Sequence, residues 1–153
     1  MENAAIRIAF PSEKKSLEEL QLRASLSNAG DRVAVLGNPD AIELPMEQID
    51  AGDVFVLEIS GRTAGFAAVL PRADGDMDLD GLFVEPEMQR RGAGRRLVEH
   101  CAQIAQSRGC GALYVVGNPH AERFYLSHGF ELVGLFETRF GPAQLMRKPL
   151  PAA

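Results

Sequence analysis

Residues 81–94 read Gly-Leu-Phe-Val-Glu-Pro-Glu-Met-Gln-Arg-Arg-Gly-Ala-Gly, and no other stretch restricts the fold of this chain as tightly. Leu82, Phe83 and Val84 form an apolar, β-prone run. Pro86 ends it, because proline has no N–H to give to a ladder. Gln89-Arg90-Arg91-Gly92-Ala93-Gly94 follows, and an amphipathic helix pattern starts at once. A strand, a short basic glycine loop and a helix N-terminus in immediate succession make an anion cradle. Glycine lets the backbone turn tightly and approach an anion, and the N–H groups of a first helical turn point at it. The cradle suits a pyrophosphate.

The elements around it follow from periodicity. Ala5–Phe10 alternates apolar and polar residues and predicts a first strand, ended by Pro11 and Ser12. Ser16, with Glu19 three positions on, predicts a capping box opening a helix whose apolar face begins at Leu17, Leu20 and Leu22. Val33, Val35 and Leu36 suggest a short second helix, bounded by Pro39 and Pro45. Asp53–Ser60 and Arg62–Leu70 read as a hairpin turning at Gly61, and Asp74-Gly75 marks another turn before a strand over Met77–Val84. In the helix after the loop, Leu97, Val98, Cys101, Ile104 and Ala105 share one stripe, with Arg95, Arg96, Glu99 and Gln103 opposite and Gly109 as the C-terminal stop. Ala112–Val116 is wholly apolar, as the buried centre of a sheet is. Asn118 and Pro119 open a helix with Ala121, Phe124 and Tyr125, closed by Gly129; Phe130–Glu137 and Ala143–Lys148 are the last two strands. The order is β-α-α-β-β-β-α-β-α-β-β.

Composition removes several function classes. The chain has 153 residues, enough for one compact domain over 1–153 with a real core. A net charge of -5 argues against bulk nucleic-acid binding, which usually leaves a basic excess. The two cysteines, Cys101 and Cys110, fall on a helix face and just past its end, so a disulfide is not expected and a reducing cytosol suits them. Three dispersed histidines give no support for a metal site. No apolar run reaches the length of a signal peptide or a membrane span, so a cytoplasmic protein without a membrane partner is expected.

The loop is not one of the commoner phosphate binders. A Walker A loop needs Gly-Lys-Ser/Thr, and the dinucleotide fingerprint needs a third glycine where this chain has Leu97. Gln89-x-x-Gly92-x-Gly94 instead resembles the acetyl-coenzyme A loop of the GNAT N-acetyltransferase superfamily, Gln/Arg-x-x-Gly-x-Gly/Ala. Downstream, Asn118, Ala121, Phe124-Tyr125 and Gly129-Phe130 are similar to that family's second cofactor-side motif. The resemblance covers residues 53–148; the first fifty match only in a strand-helix-helix outline.

The resemblance implies a mixed, mostly antiparallel α/β sheet of six to seven strands flanked by about four helices and splayed at the strand before the loop. It implies acetyl-CoA as acyl donor, with no metal, and direct transfer of acetyl to a primary amine in a ternary complex. Leu82, Phe83 and Val84 then pair with the pantetheine arm as if it were an added strand. The amides of Gln89, Arg90, Arg91, Gly92, Ala93, Gly94 and Arg95 hold the pyrophosphate; the arginines, Arg96 included, are either phosphate contacts or solvated surface charge. Asn118 binds pantetheine or a water, caps its helix, or does both. Phe124 belongs to the core or to the cofactor wall. Tyr125 stands where family members often place the tyrosine that protonates the leaving thiolate; the alternative is a packed helix tyrosine.

A general base is less defined. Asp78, Asp80 and Glu85 lie on or beside the motif strand, Asp80 nearest the cleft by alternation from Leu82, with Glu58 and Glu137 weaker. His100 and His120 read as surface residues and His128 as structural. The competing readings are a catalytically inactive CoA-binding sensor or scaffold, and a nucleotide binder of another kind. The acceptor, a small-molecule or peptide amine, has no diagnostic motif, and both monomer and homodimer are compatible with the sequence.

Overall fold

The computed structural model describes residues 3–27, 32, 36–37, 40, 42–117, 119–138 and 141–152. In chain order the described elements are β1 (Ala4–Ile8), α1 (Lys14–Leu26), α2 (Met46–Asp50), β2 (Val54–Ile59), β3 (Arg62–Pro71), β4 (Met77–Val84), α3 (Ala93–Ser107), β5 (Ala112–Gly117), α4 (Glu122–Ser127), β6 (Glu131–Thr138) and β7 (Gly141–Pro149). Short 3-10 turns precede α1, α3 and α4. The strands form one open, mixed sheet in the order β1-β2-β3-β4-β5-β7-β6. The short second helix expected at Val33–Leu36 falls mostly outside the described residues.

The chain divides into two compact units, residues 1–68 with 81–97, and residues 69–80 with 98–153. In the first, β1, β2 and β3 pair antiparallel, with Ile6 opposite Leu57 and Val56 opposite Phe66. The β2–β3 turn has positive φ at both central residues, Ser60 (51°) and Gly61 (78°), the twist that a two-residue hairpin loop requires. The core gathers Leu17 and Leu20 of α1 with Leu44, Ile49, Val54, Val56 and Phe66. Each such side chain removed from water stabilises the fold by roughly 1.5–3 kcal/mol.

Two details of this unit differ from expectation. The first strand is Ala4–Ile8, one residue earlier than read at its start and two at its end. Ser16 does not cap α1. The helix begins at Lys14 behind a 3-10 turn led by Pro11, whose fixed φ pre-forms that turn. The Glu13 carboxylate closes that 3-10 turn by accepting from the Phe10 N–H at 2.8 Å, no side chain among the described residues caps α1 itself, and the Ser16 hydroxyl donates to the Glu13 carbonyl. Leu22 is exposed, because the inward stripe runs through Leu17, Leu20 and Ala24 and Leu22 falls off it.

In the second unit β4 and β5 are parallel, pairing Met77–Leu79 with Leu113–Val115. β5 and β6 both run antiparallel to β7. β5 is less uniformly buried than its composition implies: Ala112, Leu113 and Val115 are buried but Val116 is exposed, and the pairing with β4 ends at Val115. Asp76 supports the start of β5, its carboxylate accepting from the N–H groups of Gly111 and Ala112. Arg72 stacks on Tyr114, 3.8 Å from the ring centroid, and bonds Asp78 at 2.8 Å.

α3 and α4 end in the same way. Cys110 N–H bonds the Ala105 carbonyl and Gly109 N–H the Gln106 carbonyl; Phe130 N–H bonds Tyr125 and Gly129 N–H bonds Leu126. Gly109 and Gly129 carry φ of 82° and 88°, as this cap requires. Within the second unit's part of α3, Val98, Cys101 and Ala105 are buried and Ile104 is half-buried. His100, expected at the surface, is half-buried, and burial lowers its pKa. Both cysteines are free and buried. Among the described residues no helix is long and apolar enough to cross a membrane.

Burial pushes the Cys101 thiol from 9.0 to about 12. Well below pH 9 the thiol is protonated in folded and unfolded chains alike. Above it the unfolded chain ionises first, so this residue makes stability fall as pH rises toward 12. Urea unfolding at pH 8 and pH 10 should show wild type losing about 1 kcal/mol more than Cys101→Ala across that interval; equal losses would exclude the thiol as the cause.

Candidate functional site

The glycine loop lies in the first unit and is fixed from both ends. Before it, Glu85 accepts a two-pronged contact from Arg23 of α1, Nε to Oε1 at 2.9 Å and Nη2 to Oε2 at 3.0 Å. The Glu85 N–H donates to the Ala64 carbonyl at 2.8 Å. Arg62 bonds Glu87 at 2.6 Å, and the Met88 side chain is buried. After it, the Gly92 carbonyl accepts the Arg96 N–H at 3.0 Å, the first α-helical bond of α3. The loop is held by its flanks, and its middle stays open.

That middle carries two left-handed residues, Arg90 at φ 66° and Gly92 at φ 78°. A non-glycine residue in this region costs about 1 kcal/mol and persists only where the surroundings impose it. Left-handed residues set among ordinary ones turn successive N–H groups toward one side, a backbone form that receives anions. A Cβ on Gly92 would meet nothing within 4 Å, so the space beside Gly92 is open. Gln89, Arg90, Arg91, Gly92, Arg95 and Arg96 are exposed, Gly94 is half-buried and Ala93 is buried. The N–H groups of Ala93 and Gly94 fall in the first turn of a 15-residue helix, where no carbonyl four residues back takes them. Backbone donors, a helix dipole and cationic side chains fit a pyrophosphate.

Leu82, Phe83 and Val84 are half-buried at the end of β4. The Phe83 ring packs on Phe66 with centroids 5.3 Å apart, which anchors the strand to the core. Gly65 of β3 is a residue that sequence reasoning missed. A Cβ there would stand 2.6 Å from the Phe83 carbonyl oxygen and 3.2 Å from the Val84 Cα. Only a hydrogen at this position lets β4 come so close. The sequence did carry a sign of it, a glycine inside an apolar strand, which marks a close backbone approach.

The second unit holds Tyr125 and Phe124. Tyr125 is buried, its ring edge-on to Phe124 at 5.2 Å and to Phe130 at 5.3 Å; Phe124 also meets His128 at 4.5 Å. Lys148 Nζ donates to the His128 carbonyl at 2.7 Å and supports the end of α4. A Cβ on Gly117 would lie 3.3 Å from Tyr125 Cε2, so the tyrosine ring covers the side-chain space that β5 leaves vacant. Asn118 lies outside the described residues.

The acidic candidates separate by their partners. Asp78 is paired with Arg72, Glu58 with Arg7 at 3.2 Å, and Glu85 with Arg23. These three carboxylates hold structure together. Asp80 is exposed at the end of its unit's part of β4. Glu137 is exposed on β6 and lines an open pocket with Gln144 and Pro119. Gln144 and Glu122, joined by a 3.0 Å bond from Nε2 to Oε2, were not singled out from the sequence, where neither lies in a motif. Among the described residues no group of three or more histidine, cysteine or carboxylate side chains is placed to hold a metal.

Comparisons with known proteins converge on one fold. The family model "Acetyltransferase (GNAT) family" matches residues 17–130. Among solved structures, Ard1 from Thermoplasma volcanium overlays with a TM-score of 0.75 at 16% identity, covering 97% of this chain and 98% of its own. The ribosomal-protein-S18-alanine N-acetyltransferase from Escherichia coli gives 0.71 at 22% identity, over 99% and 96%. The PaiA N-acetyltransferase from Thermoplasma acidophilum, solved with coenzyme A, gives 0.75 at 16% identity, over 96% and 99%. No curated protein matches the chain.

Gly65→Ala should destabilise the protein by about 1–3 kcal/mol, the usual cost of overpacking, because the added methyl meets backbone that cannot rotate away. Urea unfolding measures this; a change below a few tenths of a kcal/mol would mean that β4 is free to move off β3.

Proposed function

The chain belongs to the GNAT acetyltransferase family, and on that premise we propose that residues 1–153 act as one N-acetyltransferase domain passing acetyl from acetyl-CoA to a primary amine. The observation that carries this reading is the loop Gln89–Gly94, with its left-handed Arg90 and Gly92 at the mouth of α3. The neighbour solved with coenzyme A supports the choice of donor.

In the reaction the amine nitrogen attacks the thioester carbonyl, a C–N bond forms, the C–S bond breaks, and the thiolate leaves. The chain's part is to bind, orient and move protons. The first-turn amides and arginines of the loop hold the pyrophosphate. Leu82–Val84 offer backbone groups to the pantetheine arm, and the Val84 N–H stabilises the oxyanion. Tyr125 donates its phenolic proton to the departing sulfur and regains one from water. The attacking nitrogen loses its proton to Asp80 or to water near it. Asn118 and Phe124 complete the donor side.

Two measurements test this. Calorimetry with acetyl-CoA should show saturable binding, and none at high micromolar concentration would end the proposal. Tyr125→Phe should lower kcat by about 10²-fold, the lower end for a general acid, with acetyl-CoA affinity unchanged. An unaltered maximal rate would remove the tyrosine from the chemistry. Binding without thiol release over a broad amine panel would favour a sensor or scaffold instead.

A further inference from the structure

Resting on that reading, we propose that the pocket beside Gln144 is the acceptor subsite, and that it takes an aliphatic amine bearing a second N–H group on an apolar arm. The pocket lies wholly within the second unit and has a volume of about 320 Å³, at the small end for ligand sites. Pro119, Leu135, Phe136 and Pro142 give it apolar walls, and among the described residues Glu137 is the only ionisable one that lines it.

Gln144 decides what the pocket can hold. The residue is 7% exposed. Its Nε2 donates to the Glu122 carboxylate at 3.0 Å, which fixes the amide orientation, since a carboxylate accepts only from the NH₂ end. Its Oε1 is buried and has no hydrogen-bond partner among the described residues. A buried acceptor without a partner is costly, and a donor arriving with a ligand relieves that cost. An anion would meet the Glu137 carboxylate and find the amide donor already engaged. A cationic N–H group satisfies Oε1, is attracted by Glu137 and Glu122, and leaves its methylenes on the apolar walls.

Strand register ties the pocket to Tyr125. Gln144 of β7 stands directly opposite Gly117 of β5, and directly opposed residues in an antiparallel pair point to the same face. Tyr125 occupies that face where Gly117 has no side chain. Glu122, which holds Gln144, lies one turn before Tyr125 on α4. An amine lodged by one nitrogen at Gln144 can therefore present its other end on the face that carries the proposed acid.

The test is calorimetric titration of the whole protein with 1,6-diaminohexane and with hexylamine, beside thiol release with each. The diamine should bind wild type about tenfold more tightly, in line with one added hydrogen bond to a buried acceptor. Gln144→Leu should abolish that preference and leave acetyl-CoA binding intact. Phe136→Ala, at an exposed position where folding is not at stake, should weaken the binding of both amines. Equal affinity for the two amines in wild type, or an unchanged preference in Gln144→Leu, would overturn the subsite. Because titration needs no turnover, Gln144-dependent binding of the diamine would uphold the pocket even if thiol release failed over a broad amine panel, the outcome that would defeat the acetyltransferase reading.

Discussion

The missing side chain at Gly65 is the constraint on which the geometry of β4 and the glycine loop rests. With a virtual Cβ 2.6 Å from the Phe83 carbonyl, β4 follows a path that no other residue at 65 permits. Phe83 then reaches Phe66, Glu85 reaches the Ala64 carbonyl, and its carboxylate comes within bonding distance of Arg23. The loop begins where this anchored segment ends. Its left-handed residues are supported on both sides by contacts that owe nothing to a ligand, so the cradle is formed before anything enters it. Preorganisation of this kind reduces the ordering cost of binding.

The second unit uses the same device in another place. Gly117 omits a side chain so that the Tyr125 ring can lie on β5, and the glycine caps at 109 and 129 end α3 and α4 where the next strands must start. The carboxylates that sequence alone offered as bases are divided by this packing. Asp78 serves the Arg72–Tyr114 stack, and Glu85 and Glu58 serve arginines of the first unit. Glu137 stays at a pocket rim. A carboxylate's neighbours, more than its place in a strand, decide whether it is available for chemistry.

Local patterns were legible wherever one residue's conformation or periodicity forces the outcome. The Ser60-Gly61 turn, the β4 limits at Met77 and Val84, and the inward stripe of α3 followed directly. The start of α1 did not, because Pro11 and Glu13 set it one turn before the better-looking Ser16 and Glu19. Leu22 and Val116 misled because an apolar side chain declares its composition and not its direction. Gly65, Gly117 and Gln144 act through partners 18, 8 and 22 residues away, at Phe83, Tyr125 and Glu122. A linear reading cannot see such pairings.

The burial of both cysteines has a consequence for the proposed chemistry. Every turnover of a thioester donor releases a free thiol, and once such a thiol has been oxidised to a disulfide, an accessible protein thiolate attacks it to give a mixed disulfide and expel the other thiolate. Exchange requires a thiolate that can be reached. Burial holds the Cys101 thiol near 12, and Cys110 is also buried with its pKa raised. Buried, protonated cysteines of this kind resist forming mixed disulfides with the oxidised thiol product.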